Sequence, residues 1–157
     1  MKLLIFLLFI GMLGACTSHK KVAKKGTINT IVSIPQPIFT LEMTPCYGTC
    51  PSYKVIVFDN DSLTYDGMRH VAKEGKISKK LPKETINQLV KKFREENFFK
   101  FQNQYTSNAS DFPTTYISFT DRGVTKKIMD YYNAPESLKQ LENLIGDLVK
   151  EEVEIKK

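Results

Sequence analysis

Apolar positions fall into three patterns along the chain: an unbroken run at the start, short alternating stretches in the middle, and two stripes at helical spacing. Residues 38–43, Ile-Phe-Thr-Leu-Glu-Met, alternate and predict a short strand. Residues 53–58 are apolar on both alternating sets, which suits a central strand covered on both sides. The cluster Asp59-Asn60-Asp61-Ser62 predicts a turn, and residues 63–67 the returning strand of a hairpin. From residue 68 to 80 the chain is polar around Gly75, so a loop or frayed edge is expected there.

Pro82 then opens a helix whose Ile86, Leu89, Val90 and Phe93 share one face. Asn97 is its expected stop, with Phe98, Phe99 and Phe101 closing the core beneath it, and residues 102–113 form a polar connection. A second hairpin runs over residues 114–120 and 124–131, turning at Asp121-Arg122-Gly123, where glycine tolerates a positive φ. Asn133 with Glu136 three residues later has the spacing of a capping box. Leu138, Leu141, Leu144, Ile145, Leu148 and Val149 then make the clearest helical stripe in the chain. The outline is a duplicated hairpin–helix pattern. Each half alone would leave an apolar sheet face bare, so the predicted fold is α+β: an antiparallel sheet of about five strands with two helices on one face. Lys54, Thr64 and Lys126 are expected on the wetter face.

The first run belongs to a different device. Lys2 precedes an apolar stretch over residues 3–10, too short for the about 20 residues a bilayer-spanning helix needs and suited to a signal-peptide core. It closes on Leu13-Gly14-Ala15-Cys16, which resembles the lipobox of bacterial lipoproteins. That resemblance implies cleavage after residue 15 and a diacylglycerol thioether on Cys16, the anchor that joins the protein to a membrane. Thr17 stands where sorted lipoproteins retained at the inner membrane carry Asp, which implies the outer membrane, facing the periplasm. Residues 16–37 read as anchor and basic tether: Lys20, Lys21, Lys24 and Lys25 precede a segment ended by Pro35 and Pro37. The expected organisation is therefore a leader over 1–15, a tether over 16–37, a domain over 38–152 and a charged tail over 153–157.

Charge and composition narrow the function. Lys and Arg number 23 against 17 Asp and Glu, a mild excess far from the basic density of a nucleic-acid binder, so no nucleic-acid partner is expected. Asp59, Asn60 and Asp61 lack the glycine and the late glutamate of a calcium loop. There is no Gly-x-Ser-x-Gly nucleophile elbow, and His70 reads as an ordinary loop residue.

Cys46 and Cys50 flank Tyr47-Gly48-Thr49 just before the most apolar strand. In an oxidising envelope they most simply form a disulfide. Bridged Cα atoms lie within about 4.4–6.8 Å, whereas four extended steps cover roughly 13–14 Å, so the chain must fold back between them. Gly48 is expected to relieve that turn, leaving Tyr47 on a rigid knuckle. The competing chemistries fit less well. A redox pair prefers Cys-x-x-Cys at a helix N-terminus. Zinc needs four ligands, and haem attachment needs Cys-x-x-Cys-His. No metal or cofactor is expected.

The string Cys46-Tyr47-Gly48-Thr49-Cys50-Pro51-x-Tyr53 is similar to a family of uncharacterised bacterial envelope proteins, catalogued as a domain of unknown function and often carrying a lipoprotein leader. The likeness continues through Leu63-Thr64-Tyr65-x-Gly67, Leu81, the helix over 86–93, Asp111-x-Pro113-Thr114 and Asp130-Tyr131, and spans about residues 40–150. It implies no activity, substrate or catalytic residue. In outline the repeated hairpin–helix also resembles small outer-membrane-assembly lipoproteins and secreted enzyme inhibitors, an analogy of fold alone.

The functional expectation is a non-catalytic, lipid-anchored binding module. Its candidate contact residues are Tyr47, Gly48, Thr49 and Tyr105, since tyrosine gives rigid contact area with a polar tip. Its expected partner is an envelope protein, or the cell wall or lipopolysaccharide. The alternative expectation is a thiol-redox protein or sensor using Cys46 and Cys50.

Overall fold

The structure, a computed structural model, describes residues 33–108 and 111–154. The leader, Cys16 and the tether as far as residue 32 lie outside the described residues, as do residues 155–157 of the tail. Four strands come first: β1 (Pro37–Met43), β2 (Ser52–Phe58), β3 (Ser62–Arg69) and β4 (Gly75–Lys80). Helix α1 (Lys83–Glu95) and a 3-10 turn (Phe98–Lys100) follow, then the two-residue β5 (Gln104–Tyr105), β6 (Thr115–Asp121), β7 (Val124–Asp130) and α2 (Glu136–Val149). A π-helical turn (Lys150–Glu154) extends α2.

The fold is α+β, with a seven-stranded sheet in the order β4-β3-β2-β1-β6-β7-β5. All neighbours are antiparallel except β5, which runs parallel to β7, so the sheet is mixed and two strands larger than the pattern predicted. Both added strands are edges. In β4 lysines occupy three of six positions and mask the alternation, while only Ile77 and Lys79 turn partly inward. Such a charged edge resists pairing with a foreign strand. The two halves are consequently unequal: four strands precede α1, and a hairpin with one short strand precedes α2.

Alternation explains which face is covered. Phe39 and Leu41 of β1, Val55 and Val57 of β2, Leu63 and Tyr65 of β3, Ile117 and Phe119 of β6 and Ile128 of β7 are buried together with Ile86, Leu89 and Phe93 of α1 and Leu138, Leu141 and Ile145 of α2. At the centre, Phe39 stacks on Phe119 with ring centroids 4.9 Å apart and meets the edge of Phe93 at 4.8 Å. Such contacts add about 0.5–1.5 kcal/mol per pair beyond the burial of area.

The other face carries a row of alternating charge, Lys76–Asp66–Lys54–Glu42, in register across β4, β3, β2 and β1. Lys54 meets Glu42 at 3.2 Å and Lys76 meets Asp66 at 3.9 Å. Pairs this exposed stabilise little and chiefly keep the face soluble. Lys54 and Thr64 lie on this face as expected. Lys126 does not: it pairs with Phe119 on the helix side, and its Nζ donates to the carbonyls of Phe99, at 3.0 Å, and Phe101. It thereby satisfies carbonyls that the short 3-10 turn leaves without partners.

Two further expectations are corrected at chain turns. Asn133 does not cap α2; it adopts a left-handed conformation (φ 61°) and Pro135 occupies the cap position. Asparagine tolerates that conformation, which lets the chain reverse before the helix. Leu144 stands on the solvent side of α2, 36% exposed. The Arg122-Gly123 turn has both φ values positive, 51° and 79°, as a two-residue hairpin of type I′ requires. Arg94 reaches across from α1 to grip Asp121 beside that turn, at 2.6 and 2.9 Å. The hydrogen-bonded guanidinium holds the Asp121 carboxyl below its ordinary value.

Candidate functional site

Cys46 and Cys50 are bridged, with Cα atoms 5.7 Å apart. Within the loop the Gly48 N–H donates to Cys46 Sγ at 3.2 Å, and Tyr47 stands 93% exposed. Gly48 is not in a left-handed conformation, and an added Cβ would make only ordinary contact with Cys46 Sγ at 3.8 Å. The turn therefore does not demand glycine, contrary to the steric argument from spacing. Thr49 is exposed beside it. Tyr105 sits in β5 at the sheet edge, with β6 and β7 between it and β1; its ring packs on the core and its hydroxyl accepts the Gln102 N–H at 3.1 Å. The fold thus places the knuckle and Tyr105 apart.

What the same end of the sheet does assemble is a cleft of about 630 Å³. Its floor is the ends of β1, β2 and β6, namely Leu41, Met43, Tyr53 and Thr115, and one wall is α2 from Lys139 to Val149. The disulfide loop reaches it through Pro51. The remaining walls are residues 70–72 and residues 112–113, with Tyr131. None of Tyr47, Gly48, Thr49 or Tyr105 lines it.

Each wall has a local cause. The segment after β3 folds back over Gly67, where an added Cβ would lie 2.0 Å from the Lys73 carbonyl oxygen. Only a residue without a side chain allows that approach. Tyr65 holds the segment down by donating its hydroxyl to the same carbonyl at 3.0 Å. The segment before β6 is tied to the end of β1 by a reciprocal pair. The Thr44 N–H donates to Thr114 O and the Thr114 N–H to Thr44 Oγ1, both at 2.9 Å. Phe112, 48% exposed, leans on Tyr132 and Tyr131 with ring centroids 5.5 and 6.2 Å away.

At the inner end of the cleft lies a buried charged cluster. Glu142 projects from the apolar face of α2, 7% exposed, and Asp130 from the helix side of β7, 1% exposed. Lys139, one turn before Glu142, ion-pairs with Asp130 and lies 3.3 Å from Glu142 Oε2. Neither Asp130 oxygen nor Glu142 Oε1 receives a directed hydrogen bond. Burial, reinforced by the Asp130 charge, pushes the Glu142 carboxyl up to about 7 despite the opposing Lys139. Burial alone would lower Lys139, but the two carboxyls outweigh it and hold its ammonium above the ordinary value. Near neutral pH the Glu142 carboxyl is therefore poised between its neutral and ionised forms beside the Lys139 ammonium.

These three residues did not figure among the sequence-based candidates, although a signal existed. Glu142 occupies the position between Leu141 and Ile145 that completes the buried stripe, and Asp130 is two residues after Ile128 on the inward set of β7. A carboxylate on an otherwise apolar face is the informative departure. His70 lies in the bend after β3, a loop residue as expected, and lines the cleft. Among the described residues no group of three or more His, Cys, Asp or Glu is placed to hold a metal ion.

The family model described as a domain of unknown function, DUF6438, matches residues 37–149. A search among curated proteins gives no match.

Proposed function

The chain belongs to that DUF6438 family, and from this premise we propose that it is a non-catalytic binding module, anchored in the bacterial envelope through lipidated Cys16, that takes its ligand into the cleft beside the disulfide loop. The observation carrying this reading is the cleft itself. Its volume of about 630 Å³ falls in the range of small-ligand sites, about 300–1,000 Å³, and it joins apolar walls to a few converging polar groups. The lipobox-like Leu13-Gly14-Ala15-Cys16 supports the anchor and the outer membrane as its location. The direction of β1 supports the arrangement: the strand enters at Pro37 and reaches the cleft at Met43, roughly 20 Å further on at about 3.3 Å per residue. The cleft thus lies at the end of the domain remote from residue 33.

Native mass spectrometry of the full chain recovered from envelope material tests the reading. A retained ligand on the wild type, absent from a variant whose cleft is plugged by Ala72→Trp, is the expected result. Retention of the same ligand by the plugged variant would place binding elsewhere, on the Tyr47 knuckle or the open sheet face. A wild-type chain that never carries a ligand would count against a cleft-binding function.

A further inference from the structure

We propose that the inner end of the cleft is a binding site for a primary ammonium group, seated on the Glu142 carboxyl. The inference rests on the cleft being the ligand site and adds the chemistry of what enters it.

Charge count carries the argument. Two carboxyls, Asp130 and Glu142, face a single ammonium, Lys139, in a region where all but a few per cent of the two acids' surface is covered. Ionised together they leave one negative charge without a partner, and an unpaired charge in such a place is strongly unfavourable. A proton on Glu142 removes the imbalance, and a cation delivered through the cleft removes it equally well. Of the two acids Glu142 lines the cleft; Asp130 lies behind it.

The geometry selects the kind of cation. Glu142 Oε2 is already 3.3 Å from Lys139 Nζ, while Oε1 is buried and has no hydrogen-bond partner, so it is the acceptor still to be satisfied. A guanidinium is bound best by two parallel contacts to both oxygens, so one unpaired oxygen suits it poorly. A hard divalent ion needs six or more oxygen ligands, and here a lysine stands among two carboxyls. An ammonium is a compact donor that one oxygen can seat. The adjoining walls, with Leu41, Met43, Val149 and Phe112, suit an apolar stem behind that head group.

Protons compete with such a ligand. Facing Glu142 are Asp130 from β7 and Lys139 from its own helix. Asp147 and Lys150 line the cleft further along α2, and Tyr53, His70 and Tyr131 line its other walls. With the Glu142 carboxyl at about 7, the affinity for an ammonium should fall about tenfold for each pH step of one below that value and level off above it.

The test uses the full chain and two matched probes, butylammonium and neutral 1-butanol, followed by NMR shifts of the cleft residues. The expected result is that butylammonium binds at least tenfold more tightly than butanol at alkaline pH and loses that advantage on acidification. Glu142→Gln should abolish the advantage and its pH dependence, and His70→Gln should leave the pH profile in place. A peptide with one internal lysine and blocked ends, used as a third probe, distinguishes a protein side chain from a free small amine as the source of the group. Equal binding of butylammonium and butanol would overturn the ammonium site and leave the cleft reading standing. So would a pH profile that follows His70 instead of Glu142. Failure of every probe to shift a cleft resonance would overturn the ammonium site outright.

Discussion

Replacing Glu142 by Gln should abolish the fall of stability with rising pH near neutrality. The carboxyl stands at 4.5 when unperturbed and at about 7 in the folded chain. Between those values the folded state binds a proton that the unfolded state has released, so stability falls as pH rises. The contribution is fully present below the lower value and lost above the upper one. Each pH step of one is worth about 1.36 kcal/mol, so the full loss is on the order of 3 kcal/mol. For a domain of this size that corresponds to a fall in Tm on the order of 10 °C. Glutamine keeps a donor for Asp130 and cannot ionise, so the variant should match the wild type in mild acid and exceed it in mild alkali. The other displaced groups act outside this window. The Asp121 carboxyl is held low, and its contribution is lost only as pH falls through the acid range. Lys139 and Arg94 are held high, and theirs are lost only in strong alkali. Thermal unfolding of both full-length proteins, followed by circular dichroism from about pH 5 to about pH 8.5, provides the comparison. A wild-type Tm that is flat or rising over this span, or a variant that falls in parallel, would refute the account of the buried pair.

Other substitutions probe the remaining parts of the fold. Gly67→Ala puts a Cβ 2.0 Å from the Lys73 carbonyl; it should destabilise by about 2–4 kcal/mol in urea unfolding, through overpacking and loss of the Tyr65–Lys73 hydrogen bond. A change below about 0.5 kcal/mol would mean that the cleft wall does not rest on that glycine. Reducing the Cys46–Cys50 bridge should lower stability by only about 2 kcal/mol, because it closes a very short loop, and should leave the far-UV spectrum unchanged; global unfolding on reduction would contradict a local role. Phe119→Ala removes a ring with four aromatic neighbours, Phe39, Phe93, Phe98 and Phe99, and should cost about 3–5 kcal/mol in the same assay. Cys16→Ser should abolish radiolabelled fatty-acid incorporation in a bacterial host, and undiminished label would dispose of the proposed anchor.

The strands and helices that pack the core were legible because their apolar positions follow the periods of 2 and 3.6. The Phe39–Phe119 centre and both helices are of this kind. Strand β4 was hidden because an edge strand needs few inward positions, and its lysines turn alternation into a uniformly polar run. Strand β5 was hidden because two residues carry no period at all. Asn133 misled because its side chain suits both a helix cap and a left-handed turn, and only the path into Pro135 decides between them. Leu144 misled because a leucine at the margin of a stripe is as compatible with solvent as with the core. The cysteine pairing was readable from spacing and context, whereas the cleft was not. Its walls come from four separated stretches, and its buried acid pair joins a strand end to a helix that follows it after a turn. The one local trace was a glutamate on the buried side of α2, a position at which periodicity alone expects another leucine.

The proposed binding function requires that this cleft, and neither the exposed knuckle nor the open sheet face, meets the ligand. Site-specific photocrosslinking in living cells tests it most directly, with the reactive group placed in turn at Phe112, Tyr47 and Thr64. A discrete adduct from Phe112 that Ala72→Trp removes, and none from Thr64, is the expected result. Adducts from Tyr47 or Thr64 with none from Phe112 would contradict it.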